Sequence, residues 1–284
     1  VTFVDQWRSW HAEREAAVSA PGGDLTLAGT HWLVGRTQID GIPGTWWADG
    51  TDVRVSGAEG LLVGGVPTAE GLLRPDQRLM VGDVELKIIR RGADLAVRTY
   101  DPHAPAVRRF AGIDAFAPDP AWVVTAEFTP ADADQTLRTE HSHSDRLVDY
   151  PVVGTFTFTI DGQQAELVAL YTGHAGEAHI TFRDATSGRE SYGAARFLLL
   201  PMPAAAGPVA LDFNRVTLPP CAFSDAFICP LPPPGNMLPF AVRAGERAVL
   251  DQPDGGRAGV TSQTITEEFT EDSTAGAETG PRRR

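Results

Sequence analysis

The spacing of apolar positions changes once, near residue 24. Before it, Val4, Trp7, Trp10, His11, Arg14 and Val18 recur three to four apart, and Ala12, Ala16 and Ala17 favour helix. Pro21-Gly22-Gly23 stops the run. The spacing predicts one helix over residues 1–20. Its Trp7 and Trp10 would form a stripe that docks on a sheet, with His11 at the rim.

Beyond Asp24 the period is two. The clearest segment is "TFTFTIDGQQAELVALY", where Phe156, Phe158 and Ile160 alternate with Thr155, Thr157 and Thr159. Asp161-Gly162 supplies the positive φ values that a tight hairpin turn needs. "VELKIIRRGADLAVRTY" reads as a second strand pair bending at Gly92. "AHITFRDATSGRESYGAARFLLL" reads as a third, turning around Ser187-Gly188, and "AWVVTAEF" adds a strand. No helix is expected after residue 20. The pattern predicts a mainly β protein, a β-sandwich or partly closed barrel with one N-terminal helix. Residues 24–250 form its β domain. From Asp251 onward Gly, Thr, Ser and Glu dominate, so residues 251–284 are expected to be a disordered tail.

Composition narrows the partners. The formal net charge of −13 leaves no basic stripe for nucleic acid. No apolar run approaches the roughly 18 residues of a membrane span. The opening lacks the charged-then-apolar order of a signal peptide, so the expected location is cytoplasmic. Lys87 is the only lysine, and arginine carries every other fixed positive charge. Together with abundant Ala, Gly, Pro and Asp, this suggests a GC-rich prokaryotic genome.

Both cysteines lie in "NRVTLPPCAFSDAFICPLPPPGN", at Cys221 and Cys229. A structural zinc site would need two more ligands, and His174 and His179 lie far off in sequence. Buried free thiols are the default reading. A disulfide across the loop stays open, as expected of an exported protein. A nucleophilic Cys221 would need a base, and this stretch has no histidine. In "EHSHSD", His141 and His143 would share a strand face, as metal-binding barrels arrange them. No further histidine or glutamate completes that set, and the flanking "DADQTLRTEHSHSDR" reads as a polar loop. Asp184, Thr186 and Ser187 read as turn residues. No metal and no cofactor is expected.

Several stretches, taken together and in order, resemble a known family. They are "LTLAGTHWLVGRTQIDG", "IIRRGADLAVRTYD", "TFRDATSGRESYGAARFLL", "DFNRVTLPPCAF", "CPLPPPGN" and "AVRAGE". The resemblance is to a prokaryotic family of unknown function, number 1684, over roughly residues 7–250. It implies no activity. It implies that the proline-rich stretch belongs to a shared core design. After "DFNR" the family has a Tyr-Asn pair where this chain has Val216-Thr217-Leu218, which puts altered chemistry at that point in view.

The polar residues inside these stretches make the candidate site. Arg90 and Arg91 are adjacent on a strand and face opposite sides. Arg196 lies four after Tyr192 and is expected to share its face. Asp212 and Asn214 share another face, and Glu246 ends "AVRAGE". Arg90 or Arg91, Arg196, Asp212 and Asn214 are expected to converge beside "PPCAF". One reading is a buried network tying the sheets to the proline-rich loop. Another is a pocket where Arg90, Arg91, Arg196 and Asn214 hold a small polar or anionic molecule. The alternatives are two. A hydrolase-like enzyme would use Asp212 or Glu246 as general base, with Tyr192 stabilising charge. A structural or partner-binding protein would have no pocket.

Overall fold

Thr2 opens the first helix with a reciprocal cap. Its hydroxyl accepts from Asp5 N at 3.2 Å, and the Asp5 carboxylate accepts from Thr2 N at 3.1 Å. Helix α1 then runs Phe3–Ser19. Val4, Trp7, His11, Arg14 and Val18 face the protein, as their spacing predicts. The structure is a computed structural model that describes residues 1–142 and 144–252, with the backbone alone for 144–146. The expected tail lies outside the described residues except for Asp251 and Gln252, and Asp251 ends a strand.

The first half of the chain makes ten short strands. They are β1 Leu27–Trp32, β2 Thr37–Ile39, β3 Ile42–Asp49, β4 Asp52–Ser56, β5 Leu61–Val63, β6 Val66–Pro67, β7 Gly71–Leu73, β8 Leu79–Val81, β9 Val84–Arg91 and β10 Asp94–Tyr100. They form two sheets, ordered β1-β10-β9-β8-β5-β6 and β2-β3-β4-β7. Pro67, which cannot donate to a ladder, sits on the edge strand β6. Trp46, Val53, Val55, Leu61, Leu79 and Leu86 share one apolar cluster supplied by both sheets. Alternation places them there: in β4, Val53 and Val55 are buried while Arg54 between them is exposed.

The second half begins with a one-turn helix, α2 Pro105–Arg109, which the sequence pattern does not predict. Pro105 at its first position pre-sets the backbone. There follow β11 Phe110–Ala115, β12 Val123–Pro130, β13 Thr136–His141, β14 Ser144–Ile160, β15 Gln163–Leu170, β16 Glu177–Phe182, β17 Arg196–Pro201, β18 Gly207–Asp212 and β19 Glu246–Asp251. The large sheet is ordered β17-β16-β15-β14-β12-β18, with β13 beside the first part of β14; β11 pairs with β19. Thus residues 136–141 of "DADQTLRTEHSHSDR" are a strand and not the polar loop expected. Thr139 and His141 face inward and Arg138 and Glu140 outward, so its period is two, hidden because its inward residues are polar. The β14–β15 turn is the expected one, with Asp161 at φ 50° and Gly162 at φ 76°.

Phe156, Phe158, Leu167, Ile180 and Phe182 cover one face of the large sheet. Phe213, Val216, Leu238, Val242 and Ala244, from the irregular stretch between β18 and β19, complete that core. The prolines keep this cover ordered by limiting the unfolded chain. Phe227 and Phe223 extend it toward the other elements. Phe227 packs with Leu27 and Tyr100 of the first half. Phe223 packs with Val18 of α1.

The cover also repairs the sheet. β15 and β16 pair at one position only, Leu170 with His179. Where they splay, the fully buried Asn236 fills in. Its Oδ1 accepts from Val168 N at 2.8 Å, and its Nδ2 donates to Val168 O at 2.9 Å and Thr181 O at 2.8 Å. One amide thus bonds to both strands and satisfies backbone groups the ladder leaves open.

Gly245 lets the last part of the cover pass close to residues 213–216. Its φ is 77°, and a Cβ there would lie 2.6 Å from Val216 Cβ and 2.6 Å from Val216 O. Gly245→Ala is therefore expected to cost roughly 2–5 kcal/mol, from left-handed backbone strain plus overlap with backbone that cannot yield. Urea unfolding of the variant measures it. A loss below about 1 kcal/mol would mean the two segments can part freely.

Candidate functional site

The four residues expected to converge do not. The structure sends them to three places. β17 starts at Arg196, so Tyr192 lies in the preceding loop, and strand parity does not relate the two.

Arg196 is fully buried. Its Nη2 donates to Asp184 Oδ2 and to Val242 O, both at 2.7 Å. Its Nη1 donates to Ala244 O at 2.7 Å and, more distantly, to Glu246 O at 3.4 Å. Its guanidinium also faces the Phe182 ring at 5.4 Å. Asp184 Oδ2 takes Val242 N at 2.7 Å as well, and its Oδ1 takes Thr186 N and Oγ1. Asp184 thus keeps its turn bonds and also carries the counter-charge. Burial lowers the Arg196 pKa, and Asp184 opposes that shift. This is a clamp on the backbone of residues 242–246, with no face open to a ligand.

Asp212 and Asn214 form a second tie. Asp212 Oδ1 accepts from Asn214 N at 3.0 Å and from its Nδ2 at 2.9 Å. The buried Asn214 pairs both ways with the backbone of Asp119, at 2.9 and 3.0 Å. Its carbonyl accepts from Trp7 Nε1 of α1 at 2.8 Å. Arg215 lies 3.7 Å from Asp212.

Glu246 makes a third. It is fully buried. Its Oε2 accepts from Leu218 N at 2.7 Å. Its Oε1 meets Arg14 Nε of α1 at 3.4 Å, an ionic contact whose angle falls short of a hydrogen bond. Arg14 also reaches Asp24 at 3.5 Å, donates to Leu218 O at 3.3 Å, and covers the Phe223 ring. Burial pushes the Glu246 pKa up to about 7, against the opposing pull of Arg14. Burial raises Asp24 as well. A base this enclosed has no path to a substrate. Tyr192, the other catalytic candidate, gives its hydroxyl to Cys221 O at 3.3 Å.

The remaining candidates lie on the β9–β10 hairpin. Arg90 is exposed on the far face, whereas Arg91 is half-buried against the proline-rich loop, as their adjacency predicts. In the hairpin register Arg91 sits opposite Asp94 and Arg98 opposite Lys87, so period two puts Arg91 and Arg98 on one face. Arg91 Nη2 donates to Ile228 O at 2.9 Å. Arg98 stacks on Phe227 at 4.9 Å, and its buried Nε has no hydrogen-bond partner. The two guanidiniums thus meet adjacent residues of the loop. Among the described residues neither makes an ion pair. Burial lowers the Arg91 pKa, and the Arg98 charge adds to that fall. The Tyr150 hydroxyl lies nearby, bonded to His141 Nε2 at 2.8 Å. Burial raises its pKa and Arg91 opposes that shift. Arg98 could have been found from sequence by counting back across the turn at Gly92.

No group of three His, Cys, Asp or Glu side chains among the described residues is placed to hold a metal ion. His141 is buried in β13, and His143 lies outside the described residues. Among the described residues no helix is long and apolar enough to cross a membrane.

Two expectations follow from these ties. Arg196→Ala should destabilise the fold by about 3–5 kcal/mol, because it strands Asp184 as an unpaired buried charge. Replacing both Arg196 and Asp184 by apolar residues should cost less than the two single losses summed, measured by urea unfolding. The second expectation concerns pH. The folded pKa of Glu246 lies above its unfolded value, so the native state keeps a proton that the unfolded chain has released. Its contribution is complete below about pH 4.5 and is lost as pH rises through about 7. Asp24 shifts the same way. The melting temperature should therefore fall between pH 5 and pH 8, by up to about 3 kcal/mol in stability. Glu246→Gln should flatten that slope, and an unchanged slope would place the titration elsewhere.

No curated protein matches the chain. A solved solution NMR structure, of the uncharacterized protein from gene locus rrnAC0354 of Haloarcula marismortui, is 36% identical to it. The match covers 49% of this chain and 77% of that one, with a TM-score of 0.42. A family model described as a protein of unknown function (DUF1684) matches residues 108–247. Those residues hold Asp184, Arg196, Asn214, both cysteines, Asn236 and Glu246; the hairpin with Arg91 and Arg98 precedes them. By this match and that identity, the chain belongs to the DUF1684 family of proteins of unknown function.

Proposed function

We propose that the protein binds a small anionic molecule where the β9–β10 hairpin meets the proline-rich loop, through Arg91 and Arg98. One observation carries the reading. Two half-buried arginines share a sheet face and make no close ion pair among the described residues, the Asp24 charge acting on Arg98 only from farther off. Buried charge is normally paired, because leaving it unpaired costs several kcal/mol, about 3–5 when a partner is removed. A ligand carboxylate or phosphate would supply the missing charge, and the guanidinium fork matches either group. The position stands out further in a chain of net charge −13. Tyr150 adds a phenol and Phe227 an aromatic wall.

The hydrolase-like alternative has less support. Glu246 is enclosed, Asp212 is occupied by Asn214, and Arg196 is fully buried with both Nη atoms engaged. Of the four residues first considered for ligand binding, Arg91 keeps that role in this proposal.

Thermal-shift screening against small carboxylates and phosphate esters tests it. A ligand at 100 times its Kd should stabilise the protein by about 2.7 kcal/mol. Arg91→Ala and Arg98→Ala should each abolish the shift, while Arg90→Ala, on the opposite face, should keep it. A shift that survives both of the first two changes would refute the site. No shift with any anion would favour a protein whose loop contacts are structural.

A further inference from the structure

Cys221 and Cys229 have no part in the anion reading, and their surroundings are more than apolar packing. Both are free, and both are buried at about one-twentieth exposure, 4% and 5%. They share one buried cluster. The Cys221 backbone N–H also points at Cys229 Sγ, at 3.3 Å. The second half of the contact is fixed from the residue that follows β13. Cys229 N donates to Ser142 Oγ at 2.9 Å, and Ser142 N donates to Cys229 O at 2.8 Å. Tyr192 holds the first half, with its hydroxyl 3.3 Å from Cys221 O and 3.9 Å from Cys221 Sγ. The two sulfurs are held together from both ends of the loop.

Each sulfur has one donor: the Cys221 backbone N–H for Cys229 Sγ and the Tyr192 hydroxyl for Cys221 Sγ. A donor to a sulfur favours its thiolate, so either residue can supply the nucleophile.

We infer that Cys221 and Cys229 are a peroxide-oxidisable pair in which one cysteine reacts first and the other resolves it into an intramolecular disulfide. The first thiolate attacks the distal oxygen of a hydroperoxide. The S–O bond forms, the O–O bond breaks, and the departing oxygen leaves as an alcohol, or as water from hydrogen peroxide, after taking up a proton. The first cysteine is then a sulfenic acid. The second sulfur attacks it, the S–S bond forms, the S–O bond breaks, and hydroxide leaves as water with the second thiol's proton. In sum, two thiols and one hydroperoxide give one disulfide, one alcohol and one water. The closeness of the two residues places resolution ahead of further oxidation. Burial restricts the pair to small peroxides. A thiol reductant returns it to the starting state by exchange.

The test uses the full chain. The native protein is treated with hydrogen peroxide, then denatured in excess alkylating agent, and its peptides are mapped. The expected result is loss of both alkylation sites together, a linked Cys221–Cys229 peptide within one chain, and full recovery after reduction. Cys221→Ser and Cys229→Ser should each lose the link, and in at least one of them the remaining cysteine should stop at a sulfenic acid, captured by a dimedone-type probe. Retention of both thiols, separate oxidation of each, or a link only between chains would overturn the inference. If a serine variant fails to fold, the wild-type map alone still decides the linkage. The outcome is independent of anion binding, which Arg91→Ala and Arg98→Ala report.

Discussion

A single buried charge pair organises the second half of the molecule. Arg196 and Asp184 meet at 2.7 Å, and both also bind the backbone at Val242. Low dielectric makes that pair costly to break. It is offset by donors and acceptors that satisfy nearly the whole guanidinium. The end of the cover depends on it. The cover can lie across the large sheet because its end is pinned at residues 242–246. Gly245 lets it pass, and Glu246 carries the tie onward to α1.

The two ties at α1 differ in kind. Trp7 to Asn214 is a neutral bond, indifferent to pH. Glu246 to Arg14 depends on a carboxylate whose charge burial disfavours. The helix is thus held at one point by a fixed contact and at another by a titratable one. The seam between the halves is different again. There Arg91 and Arg98 face the loop residues Phe227 and Ile228 across an apolar cluster that includes Cys221 and Cys229.

Much of this could be read from local pattern. The helix announces itself by spacing, and the 155–171 hairpin by alternation around Asp161-Gly162, because both are short-range. Arg196 was recognisable as an anomaly in an apolar strand. Its partner was not, because Asp184 also satisfies a turn and resembles any other turn aspartate. Asn236 is harder still. Its bonds to Val168 and Thr181 exist because two strands splay, and nothing near Asn236 in sequence encodes that gap. β13 was hidden by polar residues on its inner face. Arg98 was within reach, since the turn at Gly92 fixes the register that pairs it with Arg91's face. Convergence of Arg196 with Asp212 was a different matter. Parity relates residues within one strand and says nothing about which strands meet.

The path from Arg14 to Glu246 spans nearly the whole described chain. During synthesis at about 5–20 residues per second, α1 leaves the ribosome on the order of ten seconds or more before its anchor exists. In that interval Val18 can meet Leu25 and Ile113, but Asn214 for Trp7 and Leu218 and Phe223 for Val18 come late. The β2–β10 half, whose core is drawn from contiguous sequence, can form meanwhile. Full docking of the helix therefore waits on residues 214–246, and a nascent chain that stalls before them presents a partly docked amphipathic helix to chaperones and proteases.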